Sequence, residues 1–374
     1  MNPMIYRKFV LLFLGIICVV LLPVAIVNFI GDAGGLFSKR KIYEEQIAQS
    51  LLKKKNVKGV SNFDERLLQS FCLKFLQERP RVFVLGSSRM LSISRHFFSD
   101  ESMFNLGVSG CSFEDILAFT SIMLNRKFLS GQKIIIGVDP WIFNRFSGQN
   151  RWKSISSSAI EMAGKISFEI NSRSVSRISW NRLSQTVSGA YFLRSLKRMG
   201  RESKRGFQIS EINEEISDLP LRKWDGSIGY DITYRSMSLE EVERSAIDYA
   251  MATPVYSLGN FNAIDLAILN GFKNLILFLK NKGAQVQLVL IPYHPKTYAL
   301  LSSSPTYNII INQVEQTIIQ LSGDLGIVVS GSYDPTVVGC LEEEFFDGMH
   351  PKEECLKKAL RSVVKKQNTN HLKT

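Results

Sequence analysis

From Arg81 onward, short apolar runs of strand length alternate with longer segments whose apolar residues recur at helical spacing, the pattern of a doubly wound parallel sheet. Residues 82–85, 103–108, 133–138, 285–291 and 327–330 are the five predicted strands. Ile134, Ile135 and Ile136 form the continuous apolar run of a strand buried on both faces. Helices are predicted over 113–124, capped by Ser112 with Asp115 three residues on, over 263–282, closed by Gly283, and over 306–321 and 352–364. Upstream, 42–57 and 62–78 also read as helices. In the second, Phe63, Leu67, Phe71 and Phe75 share one packing face, and Asp64 sits where it favours the positive end of the helix dipole.

Two segments depart from this alternation. Phe9 to Ile30 is apolar apart from Asn28 and fits the roughly twenty residues that cross a bilayer, so it reads as a membrane span. It is long for the core of a cleavable signal peptide, and bulky Ile17 before Cys18 does not suit a lipoprotein signal. Arg7 and Lys8 precede the run and Lys39, Arg40 and Lys41 follow it, so flanking charge leans weakly toward a cytoplasmic body or gives a tie. The second segment, 144–260, is rich in Ser and Arg. It has weak helical patterns near 159–170 and 190–198, a turn at Trp224-Asp225-Gly226-Ser227, and a capping box from Ser238 to Glu241 opening a helix to about 252. It reads as an insertion, a lid or docking surface over one end of the sheet. The expected division is an anchor over 1–38, a stalk with packing helices over 39–80, an α/β domain in two parts (81–143 and 261–366) around that insertion, and a loose tail over 367–374.

At 374 residues and 45% hydrophobic content the chain holds a sizeable core. Its formal charge of +12 is concentrated: between Arg145 and Arg205 thirteen Lys and Arg face three Glu. That surplus suits an anionic partner such as lipid headgroups or an acidic polysaccharide, or is a solvated surface. A nucleic-acid partner would rest on charge alone, with no matching fold signal, and is not expected. Cys18, Cys72, Cys111, Cys340 and Cys355 show neither a disulfide framework nor metal-ligand spacing. No pair among His96, His294, His350 and His371 has zinc spacing, no Walker loop is present, and Gly107-Val108-Ser109-Gly110 is too short for a dinucleotide fingerprint. No metal or cofactor is expected.

The candidate chemistry lies at two places. Val82 to Leu85 runs into Gly86-Ser87-Ser88-Arg89, which delivers a hydroxyl to the carboxyl end of a buried strand, where turn amides and a following helix would favour a developing negative charge. The same residues also describe an ordinary strand-to-helix turn. Near the other end, Asp347-Gly348-Met349-His350-Pro351 puts a carboxylate within reach of an imidazole at a helix entry, with Pro351 suited to the first helical position. Such a pair fixes the tautomer and leaves one ring nitrogen free to take a proton from a serine. In an open parallel sheet both places belong to the crevice at the carboxyl ends of the strands. His294 follows a strand end and reads as structural.

In order and placement, Gly86-Ser87-Ser88, Gly110, Gly137-Val138-Asp139 and Asp347-Gly348-Met349-His350-Pro351 resemble the four sequence blocks of the SGNH (GDSL-type) hydrolases. The resemblance covers roughly 81–364 apart from the insertion. It implies a flavodoxin-like fold with a five-stranded parallel sheet, Ser88 as nucleophile with Ser87 where Asp usually stands, His350 as general base, Asp347 as its partner, and the amides of Ser88 and Gly110 as oxyanion donors. The third block usually supplies an Asn amide, whereas this chain has Asp139, which accepts and cannot donate when ionised. Either Asp139 turns elsewhere, to Arg89 or another cation, or another donor substitutes, or the site is impaired. With the apolar N-terminal run, the chain looks most like membrane-anchored SGNH proteins of bacterial cell-envelope modification, relatives of the teichoic-acid D-alanylation and alginate-type O-acetylation proteins. That implies acyl-ester chemistry on an envelope polysaccharide, outside the cytoplasmic membrane, beside a multispanning O-acyltransferase. It also leaves open a weakened relative that binds polymer for such a partner.

Overall fold

The computed structural model describes residues 3–31, 42–61, 63–98, 102–170, 187–202 and 209–363. The chain divides into two units, Met1–Glu45 with Asn171–Ile209, and Gln46–Ile170 with Ser210–Thr374.

In chain order the strands are β1 (Asn56–Lys58), β2 (Val82–Leu85), β3 (Met103–Asn105), β4 (Lys133–Val138), β5 (Ser210–Ile212), β6 (Leu221–Arg222), β7 (Ile228–Gly229), β8 (Gln285–Leu290) and β9 (Val328–Gly331). The main sheet has the order β3-β2-β4-β8-β9 and every pairing in it is parallel. Numbered within the sheet this is 2-1-3-4-5, compatible with a flavodoxin-like fold, whose switch point lies between its first and third strands. Here those are β2 and β4, so the turns after them open into the crevice.

Strand alternation sends successive side chains to opposite faces. Val82, Val84, Ile135 and Val289 pack on one face with Leu356 and Ala359 of helix Glu353–Arg361, while Phe83 stacks against Phe128 with ring centroids 6.0 Å apart. Helix Phe113–Asn125 begins with the predicted capping box between Ser112 and Asp115. Helix Leu266–Asn281 ends just before Gly283, whose φ of +82° suits glycine. The Ser238 capping box likewise opens helix Leu239–Met251.

Several expectations are corrected. The helix predicted over 42–57 ends at Leu52, because Lys54 turns the chain at φ +60° and Asn56–Lys58 becomes β1. That strand belongs to a second, antiparallel sheet of order β5-β1-β6-β7, so the stalk and residues 210–229 of the insertion form one layer. Helix Glu65–Phe75 does not pack on its phenylalanine stripe: Phe75 is 50% exposed, and Arg66, Leu68, Gln69, Ser70, Cys72 and Leu73 are the buried side chains. A helix over Pro295–Ser303, not among the predicted ones, follows the turn after β8. Cys340 and Cys355, whose spacing shows no disulfide framework, form a disulfide. The tail over 367–374, with His371, lies outside the described residues.

The first unit contains helix Pro3–Gly31, which packs on helix Gly189–Glu202. Asn28, the one polar residue of the apolar run, is buried and donates to the Ser188 carbonyl at 3.0 Å. Gly31 lies so close to Ser195 that a Cβ there would overlap it. Among the described residues no helix is long and apolar enough to cross a membrane. The span expected over 9–30 is therefore not supported, and the C-terminal turns of this helix are engaged by Ser188 and Ser195.

Candidate active site

Ser88 follows β2 at the first position of a short 3-10 turn, Ser88–Met90. Gly86, with φ +146°, makes the turn possible, and a Cβ on it would meet Met90 and the Gly137 backbone. The two serines have different tasks. Ser87 is fully buried and its Oγ caps the turn by accepting from the Arg89 amide at 3.2 Å, whereas Ser88 reaches the cavity. The helix expected behind Ser88 is only these three residues, so its dipole supplies little and the turn amides are what remain.

Residues 88 and 350 are 262 positions apart in the chain, yet His350 Nε2 lies 2.9 Å from Ser88 Oγ. His350 Nδ1 lies 2.8 Å from Asp347 Oδ2. The other carboxylate oxygen, Oδ1, accepts from the Met349 and His350 amides, each at 2.8 Å. Burial by itself would raise the Asp347 pKa; the hydrogen bond and charge of His350, with donation from Tyr234 and the Met349 amide, outweigh it and bring Asp347 down to about 2. The loop bearing both residues is enclosed by the Cys340–Cys355 disulfide, which packs with Phe345. His294 lies behind that loop: it is 1% exposed, its amide donates to Gly348 O at 3.1 Å, and its Nδ1 accepts from the Lys296 amide. This is the structural role expected of it.

Gly110 adopts φ +56°. Among the described residues, neither its amide nor that of Ser88 donates to a protein acceptor. The loop is held from below by Arg66, which donates to Ser109 O at 3.0 Å and Gly110 O at 3.3 Å while paired with buried Asp115 at 2.8 Å. Glu65 adds to this by accepting from the Ser109 amide at 2.6 Å. Two residues of the helix expected only to pack therefore shape the Gly110 loop.

Asp139, expected where the third block meets the oxyanion, does not line the cavity, and neither does Arg89, given as a candidate substrate-binding residue. Both are about 1% exposed and bind each other, Arg89 Nη1 donating to Asp139 Oδ1 at 2.8 Å. The same guanidinium donates from Nε to Met349 O at 2.9 Å and from Nη2 to Ile291 O at 2.6 Å, and it lies 4.2 Å from the centre of the Tyr293 ring. Arg89 thus ties the Ser88 turn, the end of the fourth sheet strand and the His350 loop together. Burial pushes the Asp139 carboxyl up from its ordinary value and the Arg89 charge opposes that push. Of the alternatives the sequence left open, Asp139 turned toward Arg89 is the one observed.

The cavity holds about 560 Å³ and is lined by Ser88, Gly110, Met349 and His350 together with Glu65, Leu91, Ser109, Arg151, Ile228, Tyr230, Tyr249 and Tyr256. Another concavity, of about 440 Å³ near Lys58 and Ile212, contains neither nucleophile nor imidazole. Tyr234 was missed by sequence reasoning: its hydroxyl donates to Asp347 Oδ2 and lies 3.3 Å from His350 Nδ1. Its pKa is pushed up by burial and by the Asp347 charge, so it stays a donor. Tyr230 and Tyr234 pack on Phe346 at 4.7 and 5.5 Å between ring centres. The only trace of this in the sequence is two tyrosines four apart. No family model and no curated protein matches this chain.

Proposed function

We propose that the chain is an SGNH-like serine enzyme of ester chemistry. The observation that supports this best is the continuous relay from Ser88 Oγ to His350 Nε2 at 2.9 Å and from His350 Nδ1 to Asp347 Oδ2 at 2.8 Å. Ser88 Oγ adds to an acyl carbonyl while His350 takes its proton, and the negative oxygen meets the amides of Ser88 and Gly110. The ester C–O bond breaks as His350 returns the proton to the leaving alkoxide. Water or a sugar hydroxyl then attacks the acyl-serine by the same steps in reverse, giving an esterase or an O-acyltransferase. The substrate class is an acyl ester, acetyl in the first instance, of an envelope polysaccharide, with a multispanning O-acyltransferase as partner.

A full-length sample treated with a fluorophosphonate probe is expected to take up label at Ser88, to lose it in Ser88→Ala and to keep it in Ser87→Ala. Absence of label from the unaltered chain would sink this reading. It would favour the alternative, a catalytically weakened polymer-binding scaffold, which has one observation on its side: Asp139 donates nothing to the oxyanion, and one missing donor costs about a hundredfold or more.

Membrane association belongs to the same reading. Phe9, Leu11, Leu12, Phe13, Val19, Leu22 and Phe29 are exposed apolar side chains on helix Pro3–Gly31. The Cys340–Cys355 disulfide suits an oxidising compartment, hence a body outside the cytoplasm. In fractionated cells the full chain is expected to sediment with the membrane fraction at physiological salt. Recovery in the soluble fraction would remove the membrane part of the proposal.

A further inference from the structure

The cavity carries a cation that the ester chemistry does not use. The polar ends of Arg151, Gln149 and Tyr256 converge over Gly110, so closely that a Cβ at Gly110 would overlap all three. Gln149 Nε2 donates to Tyr256 OH at 2.8 Å and to Ser257 Oγ at 2.7 Å, and the Tyr256 ring stands edge-on to buried Trp141 with centroids 5.7 Å apart. Gln149 and Tyr256 are thereby held in place. Arg151 is not: among the described residues its side-chain hydrogen bonds are two long ones, both from Nη2, at 3.4 Å to Gln149 Oε1 and 3.4 Å to Tyr256 OH. Among the described residues, Nη1 and Nε make no hydrogen bond. The other charged lining side chain is Glu65, already engaged by Arg222 and the Ser109 amide, so it does not answer the Arg151 charge.

We infer that Arg151, with Gln149 and Tyr256, forms a subsite for an anionic group on the substrate, a carboxylate or a phosphate next to the ester being cleaved. This rests on the ester-enzyme reading and names its substrate class. A neutral acetyl sugar gives no reason for an unanswered guanidinium inside the site, whereas a planar anion accepts from two of its N–H groups at once. The alternative, that Arg151 replaces the missing oxyanion donor, fits less well. Oxyanion donors act by being fixed before the reaction, and Arg151 is exposed and loosely bonded.

The test compares three mono-O-acetyl esters that differ at one carbon: methyl glucuronoside, methyl glucoside 6-phosphate and neutral methyl glucoside. In the full-length chain, kcat/KM for a charged ester divided by kcat/KM for the neutral one is expected to fall about 10- to 100-fold in Arg151→Ala, as loss of a charged hydrogen bond implies. The fall lies mainly in KM, and Arg151→Lys recovers part of it. The charged ester with the larger ratio identifies the anion. An unmoved ratio with an equal fall in kcat on all three esters would make Arg151 an oxyanion donor, and no change on any would make it a solvated rim residue; either overturns the subsite. Should the unaltered chain turn over none of them, the ester reading fails by itself. Calorimetric binding of methyl glucuronoside and of inorganic phosphate then decides the subsite, with weakening of at least about tenfold in Arg151→Ala expected and equal affinities against it.

Discussion

Asp347→Asn is expected to lower turnover of an acyl ester about ten-thousand-fold while leaving Ser88 and His350 in place. The direction follows from which oxygen does what. Oδ1 accepts two backbone amides, from Met349 and His350, so an asparagine must put its carbonyl oxygen there. Its NH2 then occupies the Oδ2 position and faces His350 Nδ1. A donor there forces Nδ1 to accept and moves the ring proton to Nε2, the nitrogen 2.9 Å from Ser88 Oγ. The base is then blocked by its own proton. Tyr234 adds to the conflict, because its hydroxyl also donates to Oδ2 and would meet a second donor. Stopped-flow or steady-state turnover checks the loss; a variant within tenfold of the original would remove His350 from the role of base.

The same substitution has a pH signature that turnover does not share. Asp347 has a folded-state pKa of about 2, below its ordinary value, so the folded state binds its proton less readily than the unfolded chain. Its contribution, about 2 kcal/mol, is complete above the ordinary carboxylate range and is lost as pH falls through it toward 2. Chemical unfolding at pH 7 and near pH 2 should therefore show a stability loss in the original chain that is smaller by about that amount in Asp347→Asn.

Arg89→Met should destabilise the second unit by about 3–5 kcal/mol, the largest stability effect expected of any single site residue. The substitution keeps much of the side-chain volume but leaves Asp139 as a buried carboxylate without its cation, and it strips the donors from Met349 O and Ile291 O. Removing both charges in Arg89→Met with Asp139→Leu should restore part of the stability, since the uncompensated charge is gone. The recovery is incomplete because the two carbonyls stay unpaired. Denaturant midpoints for the single and double variants decide the matter. If the single variant lies within about 1 kcal/mol of the original, the pair behaves like an exposed one and does not hold the His350 loop.

The features legible along the chain are local or periodic. The runs at 82–85 and 133–138 are strands because uninterrupted apolar residues bury both faces, and Ser112 and Ser238 start helices because their side chains satisfy the first free amides. Asp347 and His350 are three residues apart, so their pairing was legible within one turn. Tertiary structure decided everything that depends on distant segments meeting. The proton acceptor beside Ser88 arrives from 262 positions away, which no local pattern records. The phenylalanine stripe of 63–75 gave way because Arg66 and Glu65 on the same helix must face the Gly110 loop. Asp139 became a partner of Arg89 because the ends of neighbouring strands bring an acid and a base together in a dry space, where ionised groups are retained only as a pair. Cys340 and Cys355 join for the same kind of reason: the loop between them folds back on itself, and spacing along the chain does not record that return.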